Sequence, residues 1–172
     1  MHIYGTARLD RRTKDLVKRL ERGDIAIIDH KDMDRLSAES ILDAGAEIVI
    51  NASPSISGAY PNLGPLLLLR GGVEILDAVG PAIFDKVSEG DRIEVSHGEV
   101  FAEGQVIARG TRLTIESVER AMRDATDRLD DQLDAFARNT IEYIEKEREL
   151  LTGPVAVPHL STRIDGRHTL VV

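Results

Sequence analysis

Hydrophobic positions along this chain change their spacing from one segment to the next. Ile3 to Leu9 reads as a short strand, and Arg11 to Glu21 as a helix with Leu16, Val17 and Leu20 on one face. Gly23-Asp24 ends that helix. Ile25-Ala26-Ile27-Ile28 is an unbroken apolar run of the kind seen in a strand covered on both faces. Ser37 to Ala44 reads as a helix with Leu36, Ile41 and Leu42 apolar and Gly45 at its close. Glu47-Ile48-Val49-Ile50 is the next buried strand, and strand, helix, strand in this order predicts a parallel βαβ unit.

The segment NASPSISGAYPNLG, Asn51 to Gly64, interrupts this rhythm. Pro65 then suits the first turn of a short helix through the leucine run, ended by Gly71-Gly72. Val73 to Leu76 reads as a strand and Pro81 to Val87 as another short helix. From Gly90 the pattern alternates apolar with polar. Turn residues at His97-Gly98 and Gly104-Gln105 separate the runs Arg92–Val95, Glu99–Phe101 and Val106–Ala108, which predicts a small antiparallel meander.

From about Thr114 to Leu151 there is neither proline nor glycine, and Gly153-Pro154 follows. This predicts one helix of about 55 Å, with Thr114 or Ser117 at its cap. Val118, Leu129, Thr140 and Leu151 recur at intervals of 11, as do Met122, Leu133 and Ile144. Such a repeat keeps one apolar stripe nearly straight along the helix. The stripe either packs on its own domain or pairs with a second copy. A domain of about 110 residues spans only about 30 Å, so part of the helix is expected to overhang it. Self-association is the expectation, through Val118, Met122, Leu129, Leu133, Phe136, Ile144 and Leu151. The division expected is an α/β domain over 1–110, the long helix over 111–153, and a linker over 154–172. That linker ends in Thr169-Leu170-Val171-Val172, which reads as the opening of a further strand-containing domain.

Composition narrows the function. A formal net charge of −8 argues against general nucleic-acid binding. With no cysteine, disulfides, thiolate metal sites and cysteine nucleophiles are excluded, and a reducing, cytoplasmic setting fits. The amino terminus lacks the apolar core of a signal peptide, and the run Leu66–Leu69 is too short to insert in a membrane. Charge is uneven: Arg8, Arg11, Arg12, Lys14, Lys18, Arg19 and Arg22 cluster at the start. They form either a docking surface for an acidic partner or phosphate, or a solvated helix face.

Candidate chemistry is sparse. Asp29, His30, Asp32 and Asp34 follow a strand's end, where ligands of open α/β sheets gather, but turn and cap roles explain them more simply than a metal. In the loop, Asn51, Ser53, Ser55, Ser57, Gly58, Tyr60, Asn62 and Gly64 make either an anion site before a helix or a rigid hydrogen-bonded loop that shapes an interface. The loop lacks the ending of a P-loop, and its serines have no neighbouring histidine in sequence to activate them. Asp77 and Asp85 are the pair available to face one cleft. His2, His97, His159 and His168 are scattered, without metal-ligand spacing. No catalytic residue, cofactor or metal is expected.

Two resemblances add to this reading. The segments GDI, AGAEIVIN, GVEIL, VSEGDRIEV and GEVFAEG resemble the swivelling phosphohistidine domain of phosphoenolpyruvate-utilising enzymes. That implies a swivelling β/β/α-type fold. Where that family carries its histidine, this chain has Tyr60-Pro61-Asn62-Leu63, which argues against phosphoryl transfer. GTARLDRRTKDLVKRL, GDIAIIDH, NASPSISGAYPNLGP, DAVGP and a long helix ending in LLTGP resemble the amino-terminal half of the SteA-like cytokinetic ring proteins of actinobacteria. That resemblance implies a role in septum and cell-wall assembly beside the membrane partner SteB. It also implies a thiamin pyrophosphokinase-like domain following this segment, whose nucleotide chemistry maps onto no residue here.

Overall fold

The computed structural model describes residues 2–152 and Gly166. The fold is mixed α/β with an antiparallel meander and a long final helix, as the apolar pattern implies. Strands β1 (His2–Leu9), β2 (Asp24–Ile28), β3 (Ile48–Asn51) and β4 (Glu74–Asp77) run parallel side by side. Between them lie α1 (Thr13–Leu16), α2 (Arg35–Asp43) and α3 (Gly64–Arg70). After α4 (Ile83–Lys86), β5 (Arg92–Ser96) pairs antiparallel with β1 and continues into β6 (Glu99–Ala102) and β7 (Gln105–Arg109). A two-residue strand, β8 (Thr111–Arg112), pairs with β4 at the opposite edge.

One sheet of eight strands results, in the order β7-β6-β5-β1-β2-β3-β4-β8. Its two edge strands are separated in sequence only by Gly110, so the sheet must roll until its edges meet. Gly110 makes that approach possible. Its N–H donates to Gly98 O at 2.9 Å, while a Cβ there would stand 2.7 Å from Asp77 O. An extra atom would push the edges apart.

Alternation along the parallel strands divides the interior in two, because successive side chains face opposite sides of a sheet. Ile25, Ile27, Ile48, Ile50 and Leu76 meet Ile93, Val95 and Val100 of the meander on one face. Ala26, Ile28, Val49 and Ile75 meet Leu16, Ile41 and Leu68 of the helices on the other. Both faces are covered, which is why β2 and β3 are apolar at nearly every position.

The helix expected over Arg11–Glu21 is a single turn. Asp10 bonds the Arg12 N–H at 2.9 Å, and the Arg19 guanidinium folds back onto Leu9 O at 2.8 Å. The chain then winds so that both Leu16 and Leu20 are buried before β2 begins. Asp24 fastens this turn, accepting from Arg8 Nε at 2.9 Å and Glu21 N at 3.0 Å.

The final helix, α5 (Ile115–Thr152), is capped reciprocally by Thr114 and Ser117. The chain forms two compact units, Met1–Asp130 and Asp131–Val172. The first turns of α5 belong to the first unit. There Val118 and Ala125 are both 0% exposed, and Glu119 pairs with Arg70 of α3 at 3.0 Å. Val118, expected at a dimer seam, is therefore an interior residue of its own domain, and Met122 is half-buried beside Leu66. In the second unit, every described side chain from Asp131 to Arg148 is exposed. Leu133 is 56% and Phe136 69% exposed. The side chain of Leu151, the terminator Gly153-Pro154, the remaining linker apart from Gly166, His159 and His168 lie outside the described residues.

Substituting Val118→Asp buries an unpaired charge. It is expected to lower unfolding stability by at least about 2 kcal/mol, read from urea denaturation followed by circular dichroism.

Candidate functional site

The carboxyl ends of β2, β3 and β4 share one buried polar network. Asn51, the last residue of β3, is fully buried. A side-chain amide so placed must find partners for both of its polar ends. Its Oδ1 accepts from His30 N at 2.9 Å, and its Nδ2 donates to His30 O at 2.8 Å and Ser55 Oγ at 2.7 Å. Ser55 in turn donates from both N and Oγ to Asp77 Oδ1 at the end of β4, at 2.9 and 2.6 Å. Three neighbouring strand ends are thereby tied through the first turn of the loop.

Outside this centre Asp29 and Asp32, after β2, serve the same loop. Asp29 accepts from Ser53 Oγ at 2.6 Å and from Arg11 Nη1 at 2.8 Å. Asp32 accepts from Ser57 N at 2.7 Å and Ser57 Oγ at 2.9 Å. Asp34 caps α2 by accepting from Ser37 N at 2.8 Å. His30 Nδ1 lies 2.9 Å from Thr13 Oγ1. Asp29 and Asp32 thus face different loop serines, while His30 Nε2 lies 3.7 Å from Asp34 Oδ2. Among the described residues no group of three His, Asp or Glu side chains converges on a common point. Of the cap and turn roles expected here, the helix cap is made by Asp34.

The far side of the loop is equally tied. Asn62 Nδ2 donates to Ser55 O at 2.8 Å and Met33 O at 3.0 Å, while its buried Oδ1 has no protein partner. Gly64 opens α3 against the chain at Met33–Asp34, and a Cβ there would collide with the Met33 carbonyl oxygen. Gly58 has φ +76 and lies under the Arg128 guanidinium of α5, whose Nη2 would stand 2.9 Å from an added Cβ. Tyr60 and Leu63 project outward, each 47% exposed.

The loop positions singled out from sequence meet in one region, where the hydroxyls of Ser53, Ser55 and Ser57 each donate to a carboxylate. Ser55 is buried against a carboxylate rather than beside an imidazole. Asp85 stands exposed on α4 and takes no part in the network. His2 and His97 do come together, their rings edge to face at 5.5 Å, because β1 and β5 pair His2 with Ser96. The contact of Arg128 with Gly58 had no sequence signal, since only tertiary packing brings α5 over the loop.

Burial pushes the Asp77 carboxyl above its ordinary pKa, partly opposed by bonds from Ser55 Oγ, Ser55 N and Ala78 N. Folded Asp77 therefore binds its proton more tightly than unfolded Asp77. The stability this carries is complete below the ordinary carboxylate pKa and is lost as pH rises through the folded value.

No family model matches this chain, and no curated protein matches it. Among solved structures the chain is similar to 3-isopropylmalate dehydratase (leuD) from Methanocaldococcus jannaschii, at 12% identity and a TM-score of 0.39, over 66% of this chain and 84% of that one.

Two outcomes are expected. Asn51→Ala strands the His30 backbone groups and Ser55, lowering stability by about 2–4 kcal/mol in chemical denaturation. Asp77→Asn keeps an acceptor for Ser55 but cannot titrate. Its stability relative to the parent should rise as pH climbs out of the acid range, read from urea midpoints between about pH 3 and about pH 7.

Proposed function

We propose that this chain is a non-catalytic scaffold segment of a cell-division protein of the SteA-like kind, self-associating through α5. The observation that carries the self-association is the bare half of that helix. Beyond Asp130, Leu133, Phe136, Ile141, Tyr143 and Ile144 are all more than half exposed. The stripe that is buried at Val118 and Ala125 continues with the same three- and four-residue spacing into this segment. Burying each such side chain stabilises by about 1.5–3 kcal/mol, so a second copy supplying the complementary stripe is favoured.

The role in septum and cell-wall assembly rests on the sequence segments that resemble the family. No helix among the described residues is long and apolar enough to cross a membrane. Placement at a septum would then come through a membrane partner of the SteB kind. The outward side chains of the loop, Tyr60 and Leu63 beside Ser57, offer a rigid surface for such contacts. A second reading makes the segment the ligand-binding or regulatory module of a thiamin pyrophosphokinase-like enzyme. It is favoured by the polar strand ends, where small ligands of α/β sheets bind.

Sedimentation equilibrium tests the scaffold reading. The parent chain is expected to be a dimer, and Leu133→Glu with Phe136→Glu a monomer whose α/β unit melts as before. A parent that stays monomeric at every concentration would refute self-association.

A further inference from the structure

Beside the loop, at the carboxyl ends of the parallel pair β1 and β2, lies an open cleft of about 380 Å³. Arg11, Arg12, Thr13 and Lys14 form one wall, and Asp29, His30 and Ser37 the other. Its charge runs against that of the molecule. The whole chain carries −8, yet this lining holds three cations against one carboxylate.

The carboxylate is already engaged. Asp29 Oδ2 accepts from Arg11 at 2.8 Å and Oδ1 from Ser53 at 2.6 Å, while the Arg11 guanidinium stacks 4.4 Å above the Phe84 ring. Arg11 and Asp29 thus answer one another and are held in place. Two more carboxylates border the cleft and are likewise engaged. Asp15 pairs with Lys18 at 2.8 Å, and Asp34 caps α2, with His30 Nε2 3.7 Å away. Arg12 and Lys14 are exposed and make no ion pair among the described residues. Of the neutral lining groups, Thr13 Oγ1 lies 2.9 Å from His30 Nδ1 and Ser37 Oγ donates to Asp34 Oδ2 at 3.2 Å.

We infer that this cleft binds a small ligand through a phosphate or pyrophosphate group. Two cations without an ion pair among the described residues match the charge of a phosphate dianion, and His30 Nε2 adds a further polar atom at the cleft. An exposed cation pair within the basic amino-terminal stretch attracts small anions. Location at the strand ends agrees with where α/β sheets hold ligands. The inference stands apart from the scaffold reading, which holds or fails on α5.

Calorimetric titration of the full chain with inorganic phosphate and with inorganic pyrophosphate tests it, alongside flotation with vesicles of equal phosphatidylglycerol and phosphatidylcholine. Saturable binding of pyrophosphate is expected. Combining Arg12→Ala with Lys14→Ala should weaken it by about tenfold or more. Arg22→Ala, an exposed cation outside the cleft, should leave it unchanged, and all variants should melt as the parent does. Non-saturating heats would overturn the inference, as would equal weakening by Arg22→Ala. Capture by vesicles without any binding of the soluble anions would overturn it in favour of a lipid surface.

Discussion

The arrangement at the strand ends depends on one buried amide. Asn51 has no access to water, so both ends of its side chain must be satisfied by protein. It does this by gripping both backbone groups of His30 and the hydroxyl of Ser55. Ser55 passes the constraint to Asp77, and the loop that follows is left little freedom. Because His30 is held, Asp29 on one side and Asp32 on the other are aimed at Ser53 and Ser57. Arg11 follows Asp29, and the cleft beside the loop takes its form from that pair.

The same apolar stripe meets two environments along α5. Up to Ala125 it is an ordinary core element, packed within the first unit and pinned by the Arg70–Glu119 pair. Beyond Asp130 its residues are bare. A helix that serves only its own domain has no need of leucine and phenylalanine at those positions, since polar residues would keep it helical at no cost in exposed apolar surface. The proposed dimer accounts for that half of the sequence, and the proposed anion cleft for Arg12 and Lys14, which make no ion pair among the described residues. The two concern different surfaces and different partners.

Local pattern determined much of this protein. Continuous apolar runs at Ile25–Ile28 and Ile48–Ile50 announced strands covered on both sides. Alternation after Gly90 announced the meander. The absence of glycine and proline after Thr114 announced the long helix. These follow from periodicities of two and of 3.6 residues, which a side chain carries wherever it sits. The unusual character of NASPSISGAYPNLG was legible too, because asparagine, serine, glycine and proline mark a fixed turn.

Tertiary structure decided the rest. Whether Arg11–Glu21 would be a helix or a turn depended on Asp10, Arg19 and Asp24 competing for the backbone and on Leu16 and Leu20 both needing the core. How closely the sheet's two edges approach depended on Gly110 meeting Gly98 and Asp77. Where Asp29 and Asp32 were aimed depended on which loop serine stood opposite each, Ser53 or Ser57. Val118 and Phe136 carry the same signal in sequence, and only tertiary packing within the first unit buried Val118 while Phe136 is exposed. Periodicity states that a face is apolar; what covers that face is set by distant parts of the chain, which local spacing does not encode.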